Sequence, residues 1–275
     1  MIILGGSSRQ SLVALRGSLD SKLNGASASD CSAISSDLFK VLDALDSSVG
    51  LRRALTDPAR DASSKSALIA DLFGKSIGSA ALALVGNAVA LRWSSSVEFA
   101  DAVEQIAVEA QAAAANVLNE LDQMQREIFT FSQLLVENPE LRQALNTTAD
   151  SMAHKQALLK DIFGSKFSAG SSSLLNQTVS TRRSRNIERT VVAYSHAVTA
   201  RRNRVNAHVR TSIALTEAQT KKLVDSLTKQ IGQSVHLNIE IDPTVIGGIA
   251  IRFGDEVIDG TISSRLAEAN RVLVS

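Results

Sequence analysis

Disulfides are excluded at the outset. The 275 residues contain one cysteine, Cys31, and a single thiol can neither close an internal bridge nor build a Cys-rich metal cluster. One cysteine fits a reducing compartment. Cys31 reads as a small residue near a helix start; the alternative is a nucleophile. Proline is nearly as scarce, at three residues. Because proline removes a backbone donor and breaks helix interiors, its scarcity favours helix. Aromatics make up 4%, while Ala, Ser and Leu abound, as helices packed through small and aliphatic side chains require. The net charge of +1 exerts no global pull on an acidic or basic partner. No stretch approaches the ~18 uninterrupted apolar residues of a membrane span. The richest, Ala80–Leu91, is short and holds Gly86 and Asn87. The opening "MIILGGSSRQ" lacks a basic region and is too short for a signal peptide. The sequence thus predicts a soluble, cytoplasmic protein, able to dock on a membrane complex.

Catalytic signatures are missing too. The P-loop pattern G-x-x-x-x-G-K-[ST] is absent, since Ile69 stands where Gly74-Lys75-Ser76 would need its first glycine; G-x-G-x-x-G is also absent. The four histidines, His154, His196, His208 and His236, make no i,i+4 pair with one another or with Cys31, so no zinc site of the usual kind is expected. No cofactor is implied.

What is present is a repeat. "LRRAL" at Leu51–Leu55 returns as "LRQAL" at Leu141–Leu145, and "KSALIADLFG" at Lys65–Gly74 returns as "KQALLKDIFG" at Lys155–Gly164. Without gaps, Leu38–Glu104 and Ile128–Tyr194 share 18 identities in 67 positions, where random matching in so biased a composition gives roughly five or six. Each copy reads as short amphipathic helices. In the first, Leu12, Leu15, Leu19 and Leu23 mark one helix, and Ile34, Leu38, Val41, Leu42 and Leu45 the next. Leu68, Ile69, Leu72 and Phe73 form the stripe of another, with Gly74 placed to end it in a left-handed conformation. Between Asn87 and Asn138 there is neither Gly nor Pro. One helix, or two nearly in line, is predicted over about 96–136. It could reach roughly 60 Å, and its first part would be helix one of the second copy, shared between bundles. Trp93, at Arg92-Trp93, is expected to pack at a helix end.

After about Arg204 the period changes. Val205, Ala207, Val209, Thr211, Ile213 and Leu215 alternate as a strand. Thr216 and Gln219 make a capping box for a helix with Leu223, Leu227 and Ile231 on its apolar face, ended by Gly232. Val235, Leu237, Ile239 and Ile241 alternate as a second strand, leaving His236 on the opposite, exposed face. Asp242-Pro243 stops it. Gly247-Gly248 permits unusual backbone angles. Ile249, Ile251 and Phe253 form a third strand, and Gly254-Asp255 turns into a fourth over Glu256–Asp259, closed by Gly260. Leu266, Ala269 and Leu273 mark a terminal helix. Asp255, Glu256 and Asp259 read as turn chemistry rather than catalytic carboxylates, because a hairpin tip is solvated.

The predicted fold class is therefore mostly α: two tandem small helical bundles followed by a small C-terminal α/β domain. The expected boundaries are 1–110 and 111–204 for the bundles and 205–275 for the last domain. A basic stretch remains. Thr181–Arg210 holds eight arginines (Arg182, Arg183, Arg185, Arg189, Arg201, Arg202, Arg204 and Arg210) against Glu188, with Ile187, Val191, Tyr194 and Val198 interleaved. Such a helix could bind nucleic acid or anionic lipid as an adaptor, or present a solvated or protein-facing surface. The small net charge argues against nucleic acid as the main business.

The segment "LTEAQTKKLVDSLTKQIGQSVHLNIEIDPTVIGGIAIRFGDEVIDGTISSRLAEANRVL" resembles the δ subunit of F-type ATP synthases, the bacterial counterpart of the mitochondrial oligomycin-sensitivity-conferring protein. Asp242, Pro243, Gly247, Gly248, Gly254, Asp255, Asp259 and Gly260 fill the turns of that family's pattern. "LLVENPELRQAL" and "KQALLKDIFG" resemble its helical domain. The doubling of the helical copy resembles the longer actinobacterial form, without the b-type membrane anchor to which that form is sometimes fused. The resemblance implies a non-catalytic peripheral-stalk subunit, peripheral at the cytoplasmic face of the cell membrane, with no cofactor. Its implied partners are the N-terminal segment of the catalytic-head α subunit and the C-terminal end of the b-type stalk subunit. A groove between helices is the candidate α site, lined by Leu12, Leu15 and Leu19 with Leu82, Val85 and Val89; the alternative is that these residues are core.

Overall fold

The computed structural model describes all residues except 1–4, 148–150, 165, 181–185, 203, 232–233, 243–244, 246, 254–255 and 260–275. Eleven of the described helices occupy the first part of the chain: α1 Gly6–Leu23, α2 Ala28–Ser47, α3 Val49–Thr56, α4 Ala62–Phe73, α5 Ser79–Ala90, α6 Ser96–Val117, α7 Leu121–Glu137, α8 Pro139–Asn146, α9 Met152–Phe163, α10 Ala169–Ser180 and α11 Ile187–Arg202. The remainder runs β1 Arg204–Thr211, α12 Glu217–Ile231, β2 Ser234–Ile241, β3 Ile249–Phe253 and β4 Glu256–Asp259. The chain divides into two compact units, Met1–Arg201 and Arg202–Ser275. A mostly helical chain ending in a small α/β unit is the class that the alternating and 3.6-residue patterns predict.

The helix starts follow from short polar side chains that accept bonds from otherwise unpaired amides. Ser27 and Asp30 form a reciprocal capping box at α2, with both bonds at 3.2 Å. Asp61 accepts from Ser64 N at 2.6 Å to start α4. Its counterpart Ser151 accepts from His154 N at 3.2 Å to start α9. The repeat is visible in the helix ends themselves: α8, α9 and α10 lie 90 residues after α3, α4 and α5 at both termini.

Gly74 departs from expectation. It is right-handed, with φ −56° and ψ −22°. A Cβ there would lie 2.5 Å from the Ala70 carbonyl oxygen, so glycine is needed for close backbone approach rather than for a positive φ. Gly164 repeats the conformation, at φ −59° and ψ −26°. Leu72, placed in the buried stripe by periodicity, is 50% exposed. The span 96–136 is two helices, broken where Asn119 takes φ +59°. Asparagine tolerates that left-handed region better than most residues.

The eleven helices share one apolar core running from Leu12 to Val198. At its centre lies α6, buried along Phe99–Ala115 except for half-buried Gln105. It packs against α1, α2, α3, α5, α7 and α10. Alanine-rich α6 lets α2 approach closely: Ser35 Oγ donates to the Ala107 carbonyl at 2.8 Å.

In the second unit the strand order is β2-β1-β3-β4, with β1 parallel to β2 and the other pairs antiparallel. A parallel pair needs a crossover, and α12 supplies it. Thr216 and Gln219 cap α12 reciprocally, at 2.8 and 3.3 Å. Ala207, Val209, Leu227, Val235 and Ile251 form this unit's core. Ile213, read as strand from alternation, lies past the end of β1 and is 70% exposed. There the Thr211 hydroxyl donates to the Ile213 carbonyl at 3.1 Å. The terminal helix expected around Leu266, Ala269 and Leu273 lies outside the described residues, as do Gly232 and the side chain of His236.

Candidate partner-binding site

The candidate groove residues sit on the adjacent helices α1 and α5. Leu12, Leu15, Leu19, Val85 and Val89 are all buried, and Leu82 is half-buried. They hold the two helices onto the core, so an occupant of the α1–α5 pair would meet the outer side chains instead. On α1 those are Gln10, Val13, Ala14 and Ser21, with Val13 65% exposed. At the rim, Asn87 Nδ2 on α5 donates to Ser18 Oγ on α1 at 3.4 Å. Trp93 packs just beyond α5, its indole N–H donating to the Ala88 carbonyl at 2.8 Å, edge-on to Phe99.

A second concavity was not legible in the sequence. Between α9 and α10 a cavity of about 600 Å³ is lined by Leu159, Phe163, Phe167 and Leu175, with Lys160 and Asn176 among its polar lining. Ser172 also lines it, where the first copy carries Leu82. A leucine-to-serine difference between copies was the available signal.

Among the described residues, the basic helix commits part of its charge to ion pairing. Ile187, Val191, Tyr194 and Val198 are buried, and Tyr194 Oη lies 3.2 Å from Glu104 Oε1. Arg201 is spent on a buried ion pair with Asp20. In the second unit Arg210 pairs with Asp242 at 3.5 Å. Arg189, Arg202 and His196 are exposed. Arg182, Arg183 and Arg185 lie outside the described residues.

Of the turn residues, the Asp242 amide donates to the Thr211 carbonyl at 2.9 Å, ending the β1–β2 pair. Gly247 and Gly248 take φ +65° and +82°, which side-chained residues resist. Asp259 pairs with Ala250 in the β3–β4 ladder. Pro243, Gly254, Asp255 and Gly260 lie outside the described residues.

Titratable groups with displaced pKa values have structural causes. Burial pushes the Cys31 thiol up, with Arg201 pulling the other way. For Glu127, burial pushes the carboxyl up, but hydrogen bonds from Ser171, Gln123 and Ser168 outweigh it, and the net pKa falls below the ordinary value. Ser168 alone gives Glu127 two bonds, from its amide at 3.0 Å and its hydroxyl at 2.8 Å. Among the described residues no three His, Cys, Asp or Glu side chains gather as metal ligands, and no helix is long and apolar enough to cross a membrane.

Helices packed on one apolar core, followed by a separate small α/β unit, define a two-part, mostly helical protein. Comparison with known proteins agrees. The family described as "ATP synthase delta (OSCP) subunit" matches residues 98–273. The chain is 38% identical over 268 residues to "ATP synthase subunit delta" of Thermobifida fusca, covering 98% of each chain. It is 37% identical to that of Streptomyces avermitilis, again over 98% of each, and 38% identical to that of a Parafrankia strain, over 98% of this chain and 99% of that one. The chain belongs to the ATP synthase delta (OSCP) family. It is a non-catalytic subunit of the peripheral stalk, the stator of a proton-translocating ATP synthase. The adaptor reading of the arginine-rich helix finds no support.

Proposed function

We propose that the helical unit holds the N-terminal segment of a catalytic-head α subunit and that the C-terminal unit holds the end of the b-type stalk subunit, at the cytoplasmic face of the membrane. The head is thereby kept from turning with the rotor, and synthesis draws on torque between a fixed head and a moving shaft. The observation that carries this reading is the α1–α5 pair. Its inner leucines and valines are committed to the core, while Val13 and its small neighbours stay outside. A surface of small residues flanking an exposed aliphatic side chain suits an incoming amphipathic helix, which lays its apolar row into such a groove. A permanent tether needs slow release, and nanomolar affinity corresponds to about 12 kcal/mol.

Deleting 1–110 would be a poor test, because it cuts α6, which both copies use. The better experiment keeps the full chain. Immobilised protein is offered the isolated catalytic head and the b-type subunit in turn. Both bind the parent chain. Val13→Asp weakens the head by at least about tenfold, roughly 1.4 kcal/mol, and leaves the b-type subunit untouched. Failure of the parent chain to retain the head would sink the proposal.

A further inference from the structure

Lysine is seldom buried without a partner, because its ammonium is strongly hydrated and costly to desolvate. Lys65, near the start of α4, is an exception. It is 7% exposed, and among the described residues its ammonium makes neither a hydrogen bond nor an ion pair. Asp61, four residues earlier, does not supply one. Its Oδ1 accepts from Ser63 Oγ at 3.1 Å and from Ser64 N at 2.6 Å, which starts the helix. Lys65 acts on that carboxylate through space alone.

Lys65 lines a cavity of about 470 Å³ at the start of α1, the α3–α4 connection and the α5–α6 connection. That volume lies within the range of small-molecule sites, about 300–1,000 Å³. Two more cations line it. Arg92 is exposed, and its guanidinium likewise has no partner among the described residues. Arg60 has a long contact with Asp57, at 3.9 Å and with side chains 56% and 41% exposed. So open a pair holds an arginine weakly. Thr56 contributes a hydroxyl and Trp93 an indole. Among the described residues no acid lines the cavity. Three cations without a carboxylate between them, one of them buried, leave a positive potential in this space. An anion bound there would supply the partner that Lys65 lacks.

We propose that this cavity binds a small anion bearing a phosphate or diphosphate group, with Lys65 as the buried contact and Arg60 and Arg92 as the contacts at its rim. Phosphate chemistry suits the donors. The planar guanidinium fork matches phosphate oxygens two at a time, and the ammonium serves as a compact point charge. Several negative charges on one ligand also match several cations, which a single carboxylate does not. The anion would join the α3–α4 connection to the α5–α6 connection and so stabilise the helical unit. This site does not depend on the partner surfaces proposed above, and its failure would leave them standing.

The chain has one tryptophan, and it lies in the cavity wall, so Trp93 fluorescence reads the site directly. The full chain is titrated with inorganic pyrophosphate at constant ionic strength, with sulfate as the comparison anion. Pyrophosphate is expected to change the emission saturably and to raise the unfolding temperature. Lys65→Met keeps the apolar stem and removes the charge, and Arg92→Gln removes a charge from an exposed position where folding is not at stake. Each weakens pyrophosphate by about 10-fold to 100-fold. Lys75→Gln, exposed just beyond the other end of α4, leaves binding unchanged. Lys65→Met melts no lower than the parent without ligand, since no unpaired charge is then buried. No saturable response to pyrophosphate, equal affinity for sulfate, or undiminished binding in Arg92→Gln overturns the proposal.

Discussion

Asp20, in the last turn of α1, and Arg201, in the last turn of α11, form an ion pair across 181 residues of sequence, with side chains 1% and 9% exposed. It ties the first helix of the helical unit to its last. Two further carboxylates fasten α1 to α6: Glu98 accepts from the Gly5 amide at 2.9 Å, and Glu109 accepts from Arg16 at 2.7 Å. Charge thus closes a unit whose interior is aliphatic.

Removing one member of a buried pair strands the other. Asp20→Ala is expected to cost the full chain about 3–5 kcal/mol, read as a fall in urea midpoint at unchanged slope. Asp20→Ala with Arg201→Met recovers a good part of the loss, since no buried charge is left alone. A single variant within about 0.5 kcal/mol of the parent would show that the pair holds nothing.

Glycine substitutions should split by sign. Gly74→Ala brings a methyl group to 2.5 Å from the Ala70 carbonyl oxygen, and that backbone must move. A loss of about 1–2 kcal/mol is expected. Gly86, inside α5, has nothing within 4 Å of an added Cβ. Alanine there restricts the unfolded chain and favours helix, so Gly86→Ala gains about 0.5–1 kcal/mol. Thermal unfolding of the two variants beside the parent checks both. Equal signs would refute the geometric argument.

Periodicity made the helix faces legible because burial is one-sided on most of these helices. Leu12, Leu15, Leu19 and Leu23 on α1 are buried, as are Ile34, Leu38, Val41, Leu42 and Leu45 on α2. The repeat also made the start of α6 legible, 90 residues after that of α1. What periodicity cannot carry is three-body geometry. The left-handed turn at Asn119 leaves no glycine or proline to read. Gly74 announces a helix end but not which of two reasons requires it. The candidate groove residues were found by apolar spacing, which marks what faces a core. The exposed Ala14 and Ser21 on α1 have no such signature. The α9–α10 cavity, for its part, depends on Ser172 standing where a leucine stands 90 residues earlier.

Cys31 should behave as packing. Its residue is 1% exposed, and burial pushes its pKa up, which lowers the thiolate fraction that reacts. Folded protein at pH 7.5 is expected to leave an aromatic disulfide reagent unreacted for hours. Denatured protein releases one equivalent at once. Rapid labelling without denaturant would place Cys31 at the surface and refute this reading.

The anchoring of the fifth helix of each copy gives a pH-dependent prediction. In copy one, the Gly78 amide, just before α5, donates to Asp37 on α2 at 2.7 Å. Ninety residues later the Ser168 amide, just before α10, donates to Glu127 on α7 at 3.0 Å. Glu127 also accepts from the Ser168 hydroxyl at 2.8 Å and Gln123 Nε2 at 2.9 Å. Its folded-state pKa is lowered by these bonds, so the carboxylate favours the folded chain. That contribution is complete above the unfolded value of about 4.3 and is lost as pH falls through the lower folded value. Glu127→Gln cannot titrate. The stability gap between parent and Glu127→Gln should therefore be constant from pH 7 to about pH 5 and shrink below about pH 4.3. Urea midpoints measured at pH 7, 5, 4 and 3.5 decide it. A gap that widens toward acid would mean that burial, which disfavours the charged carboxylate, outweighs the bonds from Ser168 and its neighbours.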